Sequence, residues 1–376
     1  MASLIDKLRA AQPSGQPPRP RAEGCFVRET RYPCGDFPLT PIAPSTLRMM
    51  TGTGPEAELQ PGQLLFLDTE TTGLQGGAGT LAFLIGLGAF RGDEFVVTQY
   101  LMRDYDEETF VLSPVMERLG QALALITFNG AAFDLPLLES RFTMNRMRPD
   151  SPMPRHVDLL HIARRVYKMR LQKCSLQRLE SEVFGLPRTD DLPGALVPER
   201  YFRYLKTREA ALLDDILEHN ALDIVSLARL LYALARLHDQ PLSAQDQRDL
   251  FSLGRVFEKR GERERAAICY RACDGAAVKE AAQLRLADIL RRSGDHRQAL
   301  CAYEDLRISG KGGARVFIAL SKLYEHRLGQ PQRALAIARQ GMVYCLERFG
   351  SQALTTAEYE NLQHRVGRLL KKTGGR

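Results

Sequence analysis

The fold is decided by one stretch of the chain, Leu64-Leu65-Phe66-Leu67-Asp68-Thr69-Glu70-Thr71-Thr72-Gly73-Leu74. Its leading apolar residues predict a short strand that is buried on both faces. Because side chains two apart in a strand point to the same side, Asp68 and Glu70 share one face at the strand's end. Neighbouring acids at the edge of an apolar sheet repel each other and lose hydration, and a divalent cation between them relieves both effects. Hard oxygen ligands of this kind suit Mg²⁺ or Mn²⁺. The alternative is that both acids are solvated or ion-paired loop residues. The apolar run before them and the turn after them make this alternative less favoured.

Further apolar runs predict a mixed sheet. Leu81–Phe90 and Phe95–Met102 are joined by the turn signal Arg91-Gly92-Asp93-Glu94, so that they form an antiparallel meander with the first strand. The periodicity of Asp106 to Gly120 predicts a helix, and Ala122–Phe128 predicts a fourth strand. A strand, a helix and a further strand indicate a crossover to a parallel strand. We therefore expect an α/β fold with three antiparallel strands plus parallel strands, flanked by helices.

The next segments carry a helix from Phe133 to Phe142 and a short fifth strand or helix start at Val157-Asp158-Leu159-Leu160. Helices are predicted at about 159–170, 175–185 and 208–237. Gly73 to Thr80 is a glycine-rich connection that favours a flexible turn over a phosphate loop, because it lacks the lysine of a P-loop.

Two more acids stand out in this order of elements. Asp134 follows the fourth strand in Phe128-Asn129-Gly130-Ala131-Ala132-Phe133-Asp134, and Asp223 lies in a helix four residues after His219. By itself Asp134 reads as a helix cap, and His219 with Asp223 reads as an exposed helical pair. If the two strands are parallel neighbours, however, Asp134 reaches the sheet edge that carries Asp68.

The ordered set resembles the DEDD exonucleases of the ribonuclease H-like superfamily, and more narrowly their bacterial YprB-type branch. The resemblance covers roughly residues 25–237 and includes the loop Arg188-Thr189-Asp190-Asp191-Leu192-Pro193-Gly194. In the histidine subgroup of these nucleases the histidine precedes the last acid by five residues, and in the tyrosine subgroup a tyrosine precedes it by four. This chain departs from both, because His219 stands at the tyrosine-type spacing.

The resemblance implies a metal-dependent 3′–5′ exonuclease that uses two Mg²⁺ or Mn²⁺ ions. The implied metal ligands are Asp68, Glu70, Asp134 and Asp223, with His219 as the base that accepts the proton of the attacking water. It also places Thr71, Thr72 and Leu74 beside the 3′ end of the substrate.

Other residues are predicted to support that site. Asn129 is a candidate substrate contact, and either Asn220 or Asp158 is a candidate support for the metal ligands. A basic cluster is a candidate for phosphate contacts, with a solvated helix face as the alternative: Arg164, Arg165, Lys168 and Arg170.

Composition limits the classes of function. The chain has 376 residues and a net charge of +7, and residues 245–376 carry about 25 Lys/Arg against about 15 Asp/Glu. This excess favours a polyanionic partner such as DNA or RNA, with arginine-rich solvated helices as the alternative. Seven scattered cysteines indicate a reducing, cytoplasmic location, and Cys269 and Cys273 read as core thiols. No apolar run approaches the roughly 18 residues of a membrane span.

The last third of the chain repeats. Leu253-Gly254, Ala266 and Tyr270 recur 33 residues later as Leu286-Ala287, Ala299 and Tyr303. This period is typical of tetratricopeptide-like helical repeats, which bind proteins in a concave groove. The predicted organisation is a weakly ordered segment 1–22, an extended lead-in 23–60, a ribonuclease H-like domain 61–240, and repeats over 245–376.

Two other functions compete with the exonuclease. One is a structure-selective endonuclease on the same fold. The other is a catalytically weak nucleic-acid-binding scaffold that recruits partners through its repeats. Retention of all four acids weighs against the scaffold.

Overall fold

The computed structural model of the protein describes residues 24–37, 40–73, 79–188 and 192–374. The chain divides into two compact units, Met1–Gln240 and Pro241–Arg376. Several predicted features lie outside the described residues: segment 1–22, Leu74 with most of the glycine-rich connection, and residues 189–191 of the predicted loop. Across the part of the chain that is described, no helix is both long enough and apolar enough to cross a membrane.

The first unit contains a six-stranded mixed sheet. Its strands are β1 (Phe26–Pro33), β2 (Leu64–Thr71), β3 (Ala82–Arg91), β4 (Glu94–Leu101), β5 (Ala124–Thr127) and β6 (Arg155–Asp158). The spatial order is β1-β4-β3-β2-β5-β6. The strands β2, β3 and β4 form the predicted antiparallel meander, and β2, β5 and β6 are parallel. The predicted mixed α/β sheet is therefore confirmed.

Strand β1 differs from the predicted extended lead-in. It pairs antiparallel with β4 and forms the edge of the sheet. Its sequence, FVRETRYP, has no continuous apolar run and stays half-exposed on one face and exposed on the other, which is why the apolar pattern did not reveal it. Helix α1 (Pro44–Thr51) also lies in this segment, which was predicted to be irregular.

The other described helices of the first unit are α2 (Glu108–Gln121), α3 (Asp134–Met144), α4 (Leu159–Leu171), α5 (Leu176–Leu179), α6 (Val197–Thr207) and α7 (Ala211–Asp239). The predicted helix 175–185 is a single α turn that continues as a π-helix, Glu180–Phe184. Helix α6 was not predicted. Single 3₁₀ turns occur at Cys34–Asp36, Pro61–Gln63, Tyr105–Glu107 and Gly194–Leu196.

The main hydrophobic cluster of this unit joins β2 and β3 to α2, α3, α6 and the first turns of α7. Within it, the rings of Phe83 and Tyr201 stack with centroids 3.8 Å apart. Phe66 on β2 and Phe95 on β4, the two strands that flank β3, pack edge to face with ring centroids 5.4 Å apart. Burial of such aromatic side chains contributes much of the free energy that holds helices on a sheet.

Helix α7 approaches β3 closely at two glycines. A Cβ atom at Gly86 would collide with the side chain of Asn220, and one at Gly88 would lie 2.5 Å from Cγ2 of Ile224. Asn220 and Ile224 are four residues apart in a helix, a rise of about 6 Å, and Gly86 and Gly88 are two residues apart in a strand, a rise of about 6.6 Å. Because the two rises are nearly equal, both contacts can form at once. Glycine within a strand marks this kind of close approach, and here it brings α7 against the sheet.

The second unit is helical in its described part. Its helices are α8 (Gln247–Lys259), α9 (Arg263–Ala272), α10 (Lys279–Arg292), α11 (His296–Ile308), α12 (Gly313–His326), α13 (Pro331–Phe349) and α14 (Ala357–Lys372), with 3₁₀ turns at Pro241–Ser243 and Gly350–Thr355. Gly261, Gly294 and Gly329 lie in the turns that join α8 to α9, α10 to α11 and α12 to α13, and all three have positive φ. Cys269 and Cys273 are buried, as predicted, and all seven cysteines are free thiols. The predicted kinship with tetratricopeptide repeats stays a prediction.

Candidate active site

The first and second acidic motifs meet at one edge of the sheet. Strands β2 and β5 are parallel, with Phe66 opposite Ile126, so their carboxyl ends point the same way. Asp134 is the first residue of α3, which follows β5. Its Oδ1 atom accepts a 2.6 Å hydrogen bond from the hydroxyl of Thr69. Asp134 is therefore tied to β2 and does not act as a simple helix cap.

Helix α7 brings a third group to the same edge. Nδ2 of Asn220 donates to Oδ2 of Asp68 at 2.9 Å and to the Asp68 carbonyl at 3.3 Å. Asn220 is fully buried. The predicted support for the metal ligands is thus a direct contact in the case of Asn220.

Asp223 lies one turn further along α7 and is paired with Arg188. The Arg188 guanidinium also donates to Glu180, whose Oε2 atom lies 2.6 Å from Nε of Arg188. Glu180 is only 3% exposed. Arg188 therefore bridges two acids, one of which belongs to the predicted metal-ligand set.

His219 faces two of the predicted acids. Its Nε2 atom lies 4.0 Å from Oε1 of Glu70 and 3.8 Å from Oδ2 of Asp223. The ring is buried to 8% exposure. The tyrosine-type spacing of this histidine therefore still directs its ring to the acid cluster.

The electrostatics of the site centre on Asp68. Burial raises the pKa of Asp68 well above its usual range, and repulsion from Asp223, Glu70 and Asp134 raises that pKa further. The hydrogen bond from Asn220 opposes this rise. The structure thus brings all four predicted acids close enough for each of the other three to act on Asp68.

The neighbouring acids are shifted in the same direction. Burial raises the pKa of Asp134 to about 6, although the hydrogen bond from Thr69 opposes the rise. Burial also raises the pKa of Asp223, against the opposing charges of Arg188 and His219. Concentrated negative charge that is poorly hydrated is the environment in which a cation binds most favourably.

Among the described residues, no three or more His, Cys, Asp and Glu side chains are arranged so that they could hold a metal ion. The carboxylates instead engage neighbouring donors, as Asp68 does with Asn220 and Asp134 with Thr69. The donor set nevertheless fits Mg²⁺ or Mn²⁺, because it consists of hard carboxylate oxygens around Asp68, a half-buried acid that is repelled by its neighbours.

A cavity of about 530 Å³ opens beside His219 and Arg188. Its walls come from α7 and from the segment that leads to Arg188, and they comprise Glu180, Leu186, Pro187, Arg188, Leu192, Asp215, Glu218, His219, Leu222, Val225, Ser226 and Arg229. Polar groups and apolar walls together give room for a ligand next to the acid cluster.

The predicted substrate contacts are only partly described. Thr72 exchanges backbone and side-chain hydrogen bonds with Leu81, and the Thr71 hydroxyl donates to the Gly73 carbonyl. These bonds shape the chain after the acids. Asn129 has a positive φ of 69°, and its backbone N–H donates to Asp158 at 2.8 Å. Asp158 thus supports the loop before Asp134 and also caps α4 at Leu160.

The predicted basic cluster on α4 has mixed surroundings. Arg165 donates to the carbonyl of Met50 at 2.7 Å, which ties α4 to α1. Arg170 donates to the Glu182 carbonyl and lies over the ring of Tyr167. Arg164 is exposed. Arg165 and Arg170 therefore make contacts within the fold. The phosphate contact of Arg164 and Arg165 stays a prediction.

A second cavity of about 590 Å³ adjoins Gly73, directly after the first acidic motif. Its lining is drawn mainly from the unpredicted helix α6 and comprises Gly73, Ala195, Pro198, Glu199, Phe202, Arg203, Lys206 and Thr207. Arg203 and Lys206 are exposed one turn apart, and Phe202 is half-buried. Sequence reasoning missed this basic and aromatic surface because it missed α6.

Gln99 is the other residue that sequence reasoning missed. It is fully buried on β4, and its Nε2 atom donates to Oδ1 of Asn220 at 2.9 Å. A polar residue within an apolar strand was the available signal, because buried amides are almost always hydrogen-bonded. Gly86 on β3 was a second signal of close approach.

Comparison with known proteins finds similarity over the same part of the chain. Residues 65–235 match the RNase_H_2 model of the RNase_H superfamily, and they therefore form an RNase_H superfamily domain. The chain is also a distant homologue of "Uncharacterized protein YprB" from Bacillus subtilis (strain 168). The two are 29% identical over 365 residues, which cover 93% of this chain and 86% of that protein.

A solved structure with a similar region is the family B DNA polymerase from the hyperthermophilic archaeon Pyrobaculum calidifontis. The match has 18% sequence identity and a TM-score of 0.38, and covers 55% of this chain. It spans 30% of the polymerase chain.

Proposed function

We propose that this protein is a metal-dependent nuclease that shortens DNA or RNA from the 3′ end. The observation that carries the proposal is the electrostatic position of Asp68, a half-buried acid that is repelled by Asp223, Glu70 and Asp134. Charge concentrated in this way has no structural benefit by itself, because buried like charges destabilise a fold. The RNase_H superfamily domain over residues 65–235 supports the same class of reaction.

In this proposal Asp68, Glu70, Asp134 and Asp223 hold two Mg²⁺ or Mn²⁺ ions. Bound divalent ions supply a water of lowered pKa and stabilise the charge that develops on the phosphate and the leaving oxygen. His219 accepts the proton of the attacking water at Nε2, which faces Glu70 and Asp223. Arg188 holds the Asp223 carboxylate in place through their ion pair.

The substrate approaches along the surface beside Gly73 in this proposal. The cavity there is lined by Phe202, Arg203 and Lys206, which supply an aromatic face and two positive charges. Stacking on aromatic rings and contacts between cations and phosphates are the two interactions that bind single strands without reading their sequence. Thr71 and Thr72 then flank the terminal nucleotide.

The direct test is hydrolysis of 5′-labelled single- and double-stranded DNA and RNA with Mg²⁺ or Mn²⁺. We expect progressive shortening from the 3′ end that requires the metal and disappears in Asp68→Asn. Asp93→Asn is the matched control, because Asp93 is an exposed turn residue on the same sheet. Activity that survives Asp68→Asn, with the control active, would contradict the proposal.

Product lengths separate the competing functions. A ladder that loses one nucleotide at a time supports the exonuclease, and discrete internal products support an endonuclease on the same fold. Binding of nucleic acid without hydrolysis, in protein that binds no Mn²⁺, supports the scaffold.

For the second unit we propose a tetratricopeptide-like array that recruits a protein partner. The turn glycines Gly261 and Gly294 are 33 residues apart and share a positive φ. The small residues Gly254 and Ala287 also lie 33 apart in α8 and α10, and Gly254 meets the ring of Tyr270. Repetition of a small residue against a large one is how stacked helix pairs build a continuous core.

The packing that this array needs is tested by Gly254→Leu. A side chain at this position would collide with the Tyr270 ring, so we expect the second unit to unfold at a lower temperature. Calorimetry on the full chain measures the change. An unaltered unfolding temperature would contradict the assignment.

A further inference from the structure

A row of polar side chains crosses the sheet of the first unit from its edge strand to Asp68. The strand register places Arg28 opposite Gln99, Gln99 opposite Gly86, and Gly86 opposite Asp68. Register partners lie on the same face of the sheet. The gap above Gly86 is filled by the side-chain amide of Asn220. Four strands and helix α7 therefore contribute to one continuous row.

Each contact in this row is a hydrogen bond. Nε of Arg28 donates to Oε1 of Gln99 at 2.9 Å, and Nε2 of Gln99 donates to Oδ1 of Asn220 at 2.9 Å. Nδ2 of Asn220 then donates to Oδ2 of Asp68 at 2.9 Å. The row begins at a half-buried cation and ends at the acid on which the proposed metal site depends.

The chemistry of the row fixes the direction of every bond. A guanidinium can only donate, so the oxygen of Gln99 must face Arg28. The nitrogen of Gln99 also donates to the carbonyl of Leu217 at 2.7 Å, and a carbonyl can only accept. Asn220 must then present its oxygen to Gln99 and its nitrogen to Asp68, whose backbone carbonyl accepts as well. Both amides are thus held in one orientation from both ends.

We propose that Arg28, Gln99 and Asn220 are positioning residues that hold the Asp68 carboxylate as an acceptor aimed at its cation. This inference rests on the proposed metal-dependent nuclease and adds a role for strand β1, which carries Arg28. Residues that hydrogen-bond to metal ligands orient those ligands and are often as important for affinity as the ligands themselves. Reversal of the Asn220 amide would place its oxygen against the Asp68 oxygens.

The sharpest variant is Gln99→Glu. It keeps the size of the side chain and the acceptor for Arg28, but it removes the donor to Asn220. The Asn220 amide then turns to donate to the new carboxylate and presents its oxygen to Asp68. We expect Mn²⁺ affinity, measured by calorimetry on the full chain without nucleic acid, to fall about 10- to 100-fold. We also expect kcat to fall while KM for nucleic acid stays near the wild-type value.

Arg28→Met tests the far end of the row, and Arg31→Met is its matched control. Both arginines lie on β1, but Arg31 pairs with Glu29 and Glu94 on the exposed surface. We expect a smaller loss of Mn²⁺ affinity in Arg28→Met than in Gln99→Glu, and no loss in Arg31→Met. Gly86→Ala, which displaces Asn220, should reproduce the effect of Gln99→Glu.

Selective ¹⁵N labelling of Asn and Gln provides a readout that does not need activity. The side-chain amide protons of Asn220 and Gln99 should exchange slowly with water in the wild type, and those of Asn220 should exchange faster in Gln99→Glu. Rapid exchange in the wild type would overturn the row, as would unchanged Mn²⁺ affinity in folded Gln99→Glu.

The two proposals fail in different ways. If the wild type binds Mn²⁺ but hydrolyses no nucleic acid, the proposed nuclease activity is wrong. The Mn²⁺ affinities of the variants then still test whether the row positions Asp68. If the wild type binds no Mn²⁺, the claim that the row aims Asp68 at a cation is overturned together with the metal site. Loss of stability in Gln99→Glu without loss of Mn²⁺ affinity would reduce the row to a structural network and contradict the positioning role.

Discussion

Thr69 and Asp134 are joined by a 2.6 Å hydrogen bond from a hydroxyl to a carboxylate, although 65 residues separate them in the chain. The bond links the strand that carries Asp68 and Glu70 to the helix that begins with Asp134. It also favours the charged form of an acid whose pKa burial raises to about 6. The protonation of Asp134 is therefore balanced near neutral pH.

The affinity for Mn²⁺ should rise between pH 5 and pH 7. Below a pKa of about 6 the Asp134 carboxyl holds a proton in the metal-free protein, so that a cation must displace that proton. Thr69→Val keeps the shape but removes the donor, which raises the pKa of Asp134 further. We expect the rise in affinity to move to higher pH, with a loss of about fourfold at pH 6.5 if the bond is worth about 1.5 kcal/mol. Calorimetry across this pH range measures both curves.

Thr143→Val is the control for that experiment, because the Thr143 hydroxyl donates to the Glu139 carbonyl on the exposed side of α3. Its curve should match the wild type. The sign for stability is opposite to that for binding. A raised pKa means that Asp134 stabilises the metal-free fold at low pH, and this contribution is lost as pH rises through about 6. Affinity independent of pH would contradict the assignment.

Arg188→Gln should destabilise the metal-free protein strongly. The change leaves the buried Glu180 and the half-buried Asp223 without the cation that bridges them, and loss of one partner of a buried pair typically costs about 3–5 kcal/mol. Urea unfolding followed by circular dichroism measures the change. Mn²⁺ should restore part of the loss, because a cation at Asp223 replaces the missing positive charge.

The comparison variant is Arg200→Gln, which removes an arginine from an exposed pair with Asp215. An exposed pair contributes about 0–1 kcal/mol, so this variant should stay close to the wild type. The double variant Arg188→Gln/Glu180→Gln should recover stability relative to Arg188→Gln. Equal stability of the Arg188 and Arg200 variants would show that the buried bridge is unimportant.

Removal of two charges beside Gly73 should weaken nucleic-acid binding in a salt-dependent way. In an Asp68→Asn background, Arg203→Gln/Lys206→Gln should lower the slope of log affinity against log salt by about 0.7 for each phosphate of a single strand that the protein no longer neutralises. Fluorescence anisotropy at several NaCl concentrations measures this slope. The matched variant Arg164→Gln/Arg165→Gln tests the basic cluster on α4. A larger effect of that variant would place the strand along α4 and not along α6.

Glu258→Gln should loosen the second unit at neutral pH. Glu258 accepts hydrogen bonds from Tyr270 and Arg285 and forms an ion pair with Arg292. Burial alone would raise the pKa of Glu258, but the bonds from Arg285 and Tyr270 outweigh it and hold that pKa below its usual value. Its stabilising contribution is therefore present at neutral pH and lost as pH falls through the lowered pKa.

After allowance for solvent screening, we expect Glu258→Gln to cost about 1 kcal/mol at pH 7. Hydrogen exchange of peptides from α8, α9 and α10 measures the local change. Glu262→Gln, at an exposed position in the same unit, should leave exchange unaltered. Faster exchange confined to acidic pH in Glu258→Gln would reverse the expected sign.

Much of the first unit could be predicted from local pattern. The apolar run before Asp68 predicted β2, and the turn at Gly92 predicted the hairpin of β3 and β4. Strand β1 was not predicted, because an edge strand needs only one half-buried face and its sequence therefore carries few apolar residues. Helix α6 was not predicted, because the proline-containing loop before it resembled an irregular connection.

The amino-acid sequence by itself determined which acids are present, their order along the chain, and the elements that carry Asp68, Asp134 and Asp223. These follow from the periods of strands and helices, which act over a few residues. Only the tertiary structure decided that Arg188 bridges Asp223 to Glu180, and that Gln99 reaches Asn220 across 121 residues of sequence. Such contacts depend on how α7 docks over Gly86, and docking is a property of complementary surfaces that no local pattern encodes.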